Sequence, residues 1–454
     1  MDQRVVPELL SSDQPTVAKP NESELRYHVG FGNEVASEAI AGTLPVGQSA
    51  PQVPALGLVH EILSATTFTA PRSLNRRVHM YRIRPSVGHP EFVPMQPLAT
   101  NRFLSAPFAT APNPNQMRWD PFTIPVREQD FLEGLITLCG NGSAAQQTGM
   151  AMHVYLANRS MVDKVLSNAD GEMLILPELG RIRVATEMGI IEAEPCELVL
   201  IPRGCKFRVE ILDGQARGFV CENYGVPFRL PDLGLVGSTG QANAWDFQIP
   251  VASYEDRKVD TQLVHKYAGN FWETTLSHSP FDVVAWRGNY APSKFDMRRF
   301  VVLGALAFDH AEPSIYCALT APSDIVAGPN AELMILPQRW MVAEHTFRPP
   351  GFHRSAVSEF LALIKGRHDG KTDAFRPGGA SLHNCWAPHG PDNASFEAGR
   401  KSDTSGPVKL ADSLAFMIET RFPMSVTDAA LHAPERQTNY LDVWKGYNGL
   451  SLQA

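Results

Sequence analysis

Short apolar runs, each ended by a turn signal, restrict the fold of this chain more than any other sequence feature. Between residues 130 and 225 these runs are rich in Val, Ile, Leu and Met, and turn-forming segments such as Asp170-Gly171 and Pro202-Arg203-Gly204 separate them. Closely spaced short strands of this kind are typical of a β-sandwich or barrel. The runs are Met152 to Tyr155, Met173 to Leu176, Arg181 to Thr186, Gly189 to Ile191, Glu197 to Ile201 and Phe207 to Ile211.

A second strand-rich block begins at Phe281, and residues 428–447 predict a terminal helix. Two β-blocks of similar size predict a mainly β chain, built from two cupin-like or jelly-roll-like β-sandwich halves with a few helices. We expect residues 1–24 to form a flexible lead-in, 25–280 an N-terminal β domain with a metal-free cupin-like core, and 281–454 a C-terminal cupin-like domain that carries the metal site. The runs of the second block are 283–286, 301–308, 314–319, 332–336, 360–364 and 414–420.

Composition excludes several classes of function. The net charge is −8 and no basic stripe is present, which argues against nucleic acid as a partner. No apolar run approaches the roughly 20 residues of a membrane helix. The six cysteines include no CxxC pair, so we expect reduced thiols in a cytoplasmic protein. The sequence also lacks a P-loop, a GxGxxG segment before a helix and a GxSxG elbow.

Two short segments near the C-terminal end together predict a metal site. The first contains His353 and Glu359, and the second contains His383 and His389. Residues six apart lie about 120° apart around a helix and about 20 Å apart on a straight strand, so a shared ion requires a turn within each segment. Pro349-Pro350-Gly351 and the prolines beside His389 supply such breaks.

Two imidazoles and one carboxylate form the facial triad of non-haem Fe(II) oxygenases, but the same set also binds zinc in hydrolases. Ordinary loop histidines beside a solvated glutamate would give the same pattern. The Asp170-Gly171-Glu172 segment has only His153 as a nearby histidine, which favours a structural role in the N-terminal half.

The chain resembles the homogentisate 1,2-dioxygenases over about residues 26 to 447. The matching segments, in order, include Gly30-Phe31-Gly32-Asn33-Glu34, Phe68-Thr69-Ala70-Pro71-Arg72, Asn158-Arg159-Ser160-Met161, Ile201-Pro202-Arg203-Gly204, Phe281-Asp282-Val283-Val284-Ala285-Trp286 and Thr346-Phe347-Arg348-Pro349-Pro350.

The resemblance implies an Fe(II)-dependent, extradiol-type ring-cleaving dioxygenase. Its iron would be held by His353, Glu359 and His389, and its partners would be a hydroquinone substrate and O2. Homogentisate would be cleaved between a hydroxylated carbon and the carbon bearing the side chain, giving maleylacetoacetate in tyrosine breakdown. The resemblance also implies a hexamer built as a dimer of trimers. A metal-dependent cupin hydrolase or isomerase, or a non-catalytic small-molecule-binding homologue, is the alternative.

Three positions depart from the family pattern. Arg287 replaces a histidine assigned as acid/base, His368 replaces a tyrosine that contacts substrate, and Ser293 replaces another tyrosine. Guanidinium stays protonated and is no general base, but it can bind a phenolate or carboxylate. We therefore predict substrate contacts from His368, His389 and Arg287, and catalytic roles for His383 and Arg287, on homogentisate or a closely related hydroquinone.

Overall fold

The computed structural model describes residues 25–95, 102–232, 241–299, 302–303, 316–326, 328–371 and 374–447. The predicted lead-in at 1–24 lies outside these ranges, as does most of the strand predicted at 301–308. Within them, nearly all regular structure is β-strand, which confirms the predicted fold class.

Among the described residues, twenty strands precede residue 297. They are β1 Tyr27–Val29, β2 Val35–Glu38, β3 Val59–Ser64, β4 Arg77–Arg82, β5 Val93–Pro94, β6 Met117–Trp119, β7 Leu135–Gly140, β8 Met150–Ala157, β9 Lys164–Asn168, β10 Glu172–Leu179, β11 Ile182–Thr186, β12 Gly189–Ala193, β13 Glu197–Ile201, β14 Lys206–Ile211, β15 Ala216–Asn223, β16 Phe247–Pro250, β17 Thr261–Tyr267, β18 Asn270–Leu276, β19 Val283–Gly288 and β20 Ser293–Asp296.

Nine strands and two short α-helices follow. The strands are β21 Val302–Leu303, β22 Tyr316–Pro322, β23 Pro329–Leu336, β24 Arg339–Met341, β25 Ser358–Lys365, β26 Ala380–His383, β27 Val408–Leu410, β28 Leu414–Thr420 and β29 Ser425–Val426. The helices are α1 Asn393–Lys401 and α2 Asp428–Leu431. Single 3-10 turns lie at Ala55–Gly57, Ala144–Gln146, Ala244–Asp246, Met297–Arg299 and Tyr440–Trp444.

Three large sheets carry the fold. The central sheet has nine strands in the order β1-β16-β20-β13-β10-β15-β8-β7-β29, and the outer sheet has seven in the order β12-β11-β14-β9-β17-β18-β5. The site sheet has six, in the order β22-β23-β28-β25-β26-β6. A four-stranded small sheet, β2-β19-β4-β3, and a three-stranded sheet, β21-β24-β27, complete the described structure.

The central sheet is buried on both faces. Ile175 shares a core cluster with Phe207 of the outer sheet, whereas its neighbour Leu174 shares a second cluster with Phe360 of the site sheet. The rings of Phe219 and Phe360 meet edge to face at 5.9 Å across that second boundary. A strand covered on both sides reads as a continuous apolar run, which explains why β8 and β10 show no clear alternation.

Each predicted half of the chain contributes strands to sheets of the other half. Strands β19 and β20, which follow the predicted boundary at residue 280, pair with β2, β4, β13 and β16 of the N-terminal half. In the other direction, β6 pairs with β26 of the site sheet, and β29 pairs with β7 of the central sheet. The sheet pairing of the N-terminal half therefore continues through Asp296.

A buried charge cluster lies inside the N-terminal half. The ammonium of Lys266 is fully buried, lies 3.0 Å from Asp170 Oδ2 and donates to Glu222 Oε1. His153 Nε2 lies 3.3 Å from the other oxygen of Glu222. Lys266 thus supplies a fixed cation at the centre of these acceptors.

The terminal helix predicted at 428–447 is wrong. Helix α2 ends at Leu431, and a separate 3-10 turn spans Tyr440–Trp444. Pro434 lies between them, and proline cannot continue a helix because it lacks an N–H and its ring clashes with the preceding turn.

No helix among the described residues is long and apolar enough to cross a membrane. All six cysteines are free, and four of them are buried (Cys139, Cys196, Cys205 and Cys221).

Candidate metal centre

The site sheet packs one face into the large core, and its opposite face carries a row of polar side chains beside a smaller apolar cluster. On β25, Phe360 and Ala362 pack in the large core cluster, while Glu359 and Leu361 point to the opposite side. The same alternation continues on β26, where Leu382 enters the core and successive side chains alternate between faces. We call the side that carries Glu359 the site face.

Four polar side chains form a row across the site face. Glu332 of β23 pairs in register with Glu419 of β28, Glu419 pairs with Glu359, and Glu359 pairs with His383 of β26. Directly opposite residues on neighbouring strands have Cβ atoms about 5 Å apart. Strand register therefore fixes Glu359 and His383 as neighbours.

The two remaining histidines reach Glu359 from loops. His353 and His389 form an isolated antiparallel bridge, in which each backbone N–H donates to the other residue's carbonyl at 2.9 and 3.0 Å. Gly390 permits this approach, because an added Cβ would stand 3.0 Å from Phe352 Cα. The turns that the sequence analysis required between each pair of residues are therefore present.

His353, Glu359 and His389 converge on one point. Their candidate ligand atoms all lie within 4.8 Å of one another. His389 Nε2 is 3.0 Å from Glu359 Oε2, and His353 Nε2 is 3.7 Å from Glu359 Oε1. Two donors at right angles, each about 2.1 Å from a metal, lie about 3 Å apart, so the spacing fits one ion.

Hydrogen bonds set the protonation of both histidine rings. Nδ1 of His353 lies 2.8 Å from the Gly351 carbonyl, and Nδ1 of His389 lies 2.9 Å from the Ala387 carbonyl. A carbonyl only accepts, so each Nδ1 donates and each Nε2 faces Glu359: a protonated ring donates there to the carboxylate, and a neutral ring offers its Nε2 lone pair to a cation. Two lone pairs beside a carboxylate call for a cation, and the donor set therefore fits a divalent metal.

The centre is enclosed on one side and open on the other. The side chains of His389 and Glu359 are 4% and 10% exposed, whereas that of His353 is 42% exposed. Phe352, which precedes His353, and Trp386, whose backbone N–H donates to the Ser355 carbonyl, are both exposed. Three protein ligands with one accessible side leave coordination positions for other molecules.

Charge in the row is unevenly distributed. Burial opposes ionisation of Glu359, but hydrogen bonds from His353 and His389 outweigh it and lower the Glu359 pKa to about 2. The nearby Glu359 carboxylate raises the pKa of His353. Burial, together with the charges of Glu359 and Glu332, raises the pKa of Glu419 to about 8. Glu359 is therefore the anionic ligand, and Glu419 is protonated at neutral pH.

His383 lies directly behind the ligands. Its ring stacks on His389 at 4.3 Å, and its Nε2 is 3.1 Å from the hydroxyl of Tyr440. Lys371 Nζ donates to the same hydroxyl at 3.3 Å and to the Gly390 carbonyl at 3.1 Å. Burial holds the pKa of His383 well below its usual range, so the ring is neutral and oriented by Tyr440.

His368 lies in the loop after β25, farther along the same side of the sheet. Its Nδ1 accepts from the Gly370 N–H at 3.2 Å, and its ring meets Phe375 edge to face at 6.2 Å. Burial lowers the His368 pKa to about 4. Because Nδ1 is an acceptor, the neutral ring carries its proton on Nε2.

The other two departures from the family pattern lie elsewhere in the chain. Arg287 belongs to the small sheet, where its guanidinium donates to the carbonyls of Pro45 and Gln48 and to Ser49 Oγ at 3.0 Å. Ser293 belongs to the central sheet and lines a cavity of about 20 Å³ beside Glu172. Within one chain, the three departures do not line a single pocket.

Sequence reasoning missed the hydrogen bond between Tyr440 and His383, and it missed Lys371, which donates to the same Tyr440 hydroxyl. Tyr440 comes 57 residues after His383, and a single sequence carries no signal of that contact.

Fold and site together define a class: a two-part β-sandwich protein with a His-Glu-His candidate metal centre on the C-terminal site sheet. The N-terminal domain model of homogentisate 1,2-dioxygenase matches residues 26–297, and the C-terminal domain model matches residues 298–450. The chain belongs to the homogentisate 1,2-dioxygenase family.

Solved structures with a partial likeness include cupins. Protein Ylba from E. coli aligns at 8% identity over 69% of this chain and 95% of its own, with a TM-score of 0.32. A cupin 2 conserved barrel domain protein from Leptotrichia buccalis aligns at 8% identity over 67% and 92%, with a TM-score of 0.31. A mutant of oxalate decarboxylase from Bacillus subtilis aligns at 8% identity over 70% and 79%, with a TM-score of 0.30. Likenesses at this level add nothing to the assignment of a function.

Proposed function

We propose that this protein is an Fe(II)-dependent dioxygenase that cleaves the ring of homogentisate or a closely related hydroquinone acid. The convergence of His353, Glu359 and His389 carries the proposal, because this donor set on one face of a metal is the ligand set of non-haem Fe(II) oxygenases. Membership of the homogentisate 1,2-dioxygenase family supports the reaction class.

A bound ferrous ion would supply the site at which an electron-rich phenolate ring and O2 meet. The protein's own groups hold the geometry. Glu359 balances the charge of the ion, and the two backbone carbonyls fix the ligand histidines through Nδ1. To His383, which is neutral and stacks on His389, we assign the task of accepting and returning the proton of a substrate hydroxyl. His368 offers its Nε2–H to the substrate from farther along the site face.

His383→Gln tests the proposed proton-handling role. We expect the variant to bind iron as the wild type does, because His383 is not one of the three ligands, and to lose about 100-fold in kcat, as is typical for removal of a general acid or base. Iron content per chain and initial O2 uptake are the measurements. Tyr440→Phe is the matched variant, because it keeps the His383 ring but removes one hydrogen bond to it. Its kcat should lie between that of the wild type and that of His383→Gln. Loss of iron in His383→Gln would contradict the assignment.

Arg287→His tests the predicted substrate role of Arg287. The contacts within the chain support an anchoring role for Arg287 on residues 45–49. They therefore predict a lower Tm for Arg287→His, because each lost hydrogen bond is worth about 1 kcal/mol. The substrate preference should stay unchanged within about 3-fold, because these contacts are made within the chain. A changed preference among hydroquinones at unchanged Tm would instead establish a role at the substrate.

A substrate screen separates the proposal from the alternatives. The protein is reconstituted anaerobically with Fe(II), then mixed with homogentisate, gentisate and longer-chain hydroquinone acids in an oxygen electrode. O2 uptake that depends on one of these substrates supports the dioxygenase. Turnover without O2 uptake identifies a hydrolase or isomerase, and saturable binding without turnover identifies a binding protein.

A further inference from the structure

Arg118 is a buried cation without a hydrogen-bond acceptor. It lies in the middle of β6, is fully buried, and none of its three guanidinium nitrogens has a hydrogen-bond partner among the described residues. Its guanidinium carbon lies 4.0 Å from the centre of the Tyr440 ring and 5.0 Å from that of Phe375. The ring faces attract the positive charge of the group, but they do not replace the acceptors that its N–H donors need.

The surrounding charges do not compensate Arg118. Asp369 is paired with Arg339, at 2.6 Å between Oδ2 and Nη2. Lys371, the other nearby cation, donates to a carbonyl and to the Tyr440 hydroxyl. Among the described residues, therefore, no carboxylate accepts a hydrogen bond from the Arg118 guanidinium. A buried, unpaired guanidinium is strongly unfavourable, which points to an anion that binds there in the working protein.

Strand register places Arg118 at a defined distance from the metal centre. Arg118 pairs with Ser381 of β26, so both side chains point to the same face, and the hydroxyl of Ser381 is likewise buried without a partner among the described residues. Ser381 precedes His383 by two residues on the strand, which places it one side-chain row, about 7 Å, from the row of Glu359 and His383. This is about the length of a hydroquinone ring that carries a short acidic side chain.

We propose that Arg118, assisted by the hydroxyl of Ser381, binds the carboxylate of the substrate and selects ring substrates with an acidic side chain. The inference rests on the proposed function, because it assumes that a hydroquinone binds at the metal centre. It adds the residues that bind the acidic side chain, one row along the sheet from the hydroxylated end of the ring. A guanidinium suits this task because it donates two parallel hydrogen bonds to a carboxylate.

Binding of inert analogues to Arg118→Met gives the first test. The probes are 2-hydroxyphenylacetate, which carries the carboxylate, and neutral 2-hydroxyphenylacetamide, both titrated anaerobically by calorimetry into the iron-loaded protein. We expect the wild type to prefer the acid. Arg118→Met should weaken binding of the acid by about 10- to 100-fold, on the order expected for a lost charge-assisted hydrogen bond, and leave binding of the amide within about 2-fold.

Two further variants separate recognition from folding. Arg118→Lys keeps the charge and should retain a preference for the acid, while Ser381→Ala should lower affinity for the acid alone, by about 3- to 10-fold. If Arg118→Met does not fold, these two variants still decide the matter. The proposal would be overturned if both variants lost the same affinity for the acid as for the amide. It would also be overturned if neither variant changed the affinity for the acid.

Kinetics with homogentisate and its methyl ester distinguish this inference from the proposed function. O2 uptake by the wild type with none of the hydroquinone acids of the substrate screen would refute the dioxygenase, whatever the binding data show; if another acid than homogentisate is turned over, that acid and its methyl ester are compared. O2 uptake with both compounds, with kcat/KM of Arg118→Met reduced equally for each, would leave the dioxygenase standing and refute the carboxylate subsite. The subsite predicts that kcat/KM falls for homogentisate only.

Discussion

Glu359→Gln is expected to lose its iron. Its initial rate of O2 uptake with a hydroquinone acid should fall at least about 1,000-fold. The substitution keeps the shape of the side chain but removes the negative charge that faces both imidazole Nε2 atoms, at 3.0 and 3.7 Å. A neutral amide is a poor ligand for a divalent cation, and two imidazoles alone do not complete the facial triad. Iron per chain after anaerobic reconstitution and gel filtration, together with initial O2 uptake, measures the effect.

Glu332→Gln is the matched control. Glu332 stands in the same row of the site face, two strands from Glu359, and accepts from the thiol of Cys317 at 3.1 Å, a contact that an amide oxygen retains. We expect this variant to bind one iron per chain. Equal iron loss in both variants would show that the row as a whole, rather than Glu359, holds the metal.

Lys266→Met is expected to destabilise the protein by about 3–5 kcal/mol, the usual result of removing one partner from a buried ion pair. The ammonium is fully buried and faces both Asp170 and Glu222. Without it, two carboxylates remain inside the N-terminal half with no cation between them. Urea unfolding followed by circular dichroism measures the change.

Two variants control this prediction. Lys365→Met removes an exposed ion pair with Asp412 and should change stability little, because solvent screens such pairs. The double variant Lys266→Met, Glu222→Gln should recover part of the loss, because one uncompensated charge disappears. If Lys266→Met unfolds at the same urea concentration as Lys365→Met, the buried cluster does not stabilise the N-terminal half.

Local sequence predicted many of the strands and the two segments that carry the candidate ligands, whereas the choice of His353, Glu359 and His389 came from the family resemblance. Apolar runs bounded by Gly, Pro and Asp predicted β8, β10, β11, β13 and β14, because strand length and turn chemistry are encoded by neighbouring residues. The two His-containing segments predicted the candidate ligands, and their proline and glycine residues predicted the turns that bring His353 and His389 together.

Long-range pairing was beyond sequence reasoning. Arg118 reaches the site face only because β6 pairs with β26, and no periodicity in a single chain reveals which distant strands are neighbours. For the same reason, Arg287 and Ser293 were grouped with His368, although they lie on the small and central sheets. The domain boundary predicted at residue 280 likewise assigned β19 and β20 to the C-terminal half, although they pair with strands of the N-terminal half.

The stoichiometry of O2 consumption tests the central claim most directly. The protein is loaded with one Fe(II) per chain and given a limiting amount of homogentisate in water under ¹⁸O2. If His353, Glu359 and His389 hold an iron with an open face for substrate and gas, one O2 disappears for each ring cleaved and both labelled atoms enter the product. Ring loss without O2 uptake, or a product that contains no label, would contradict the account.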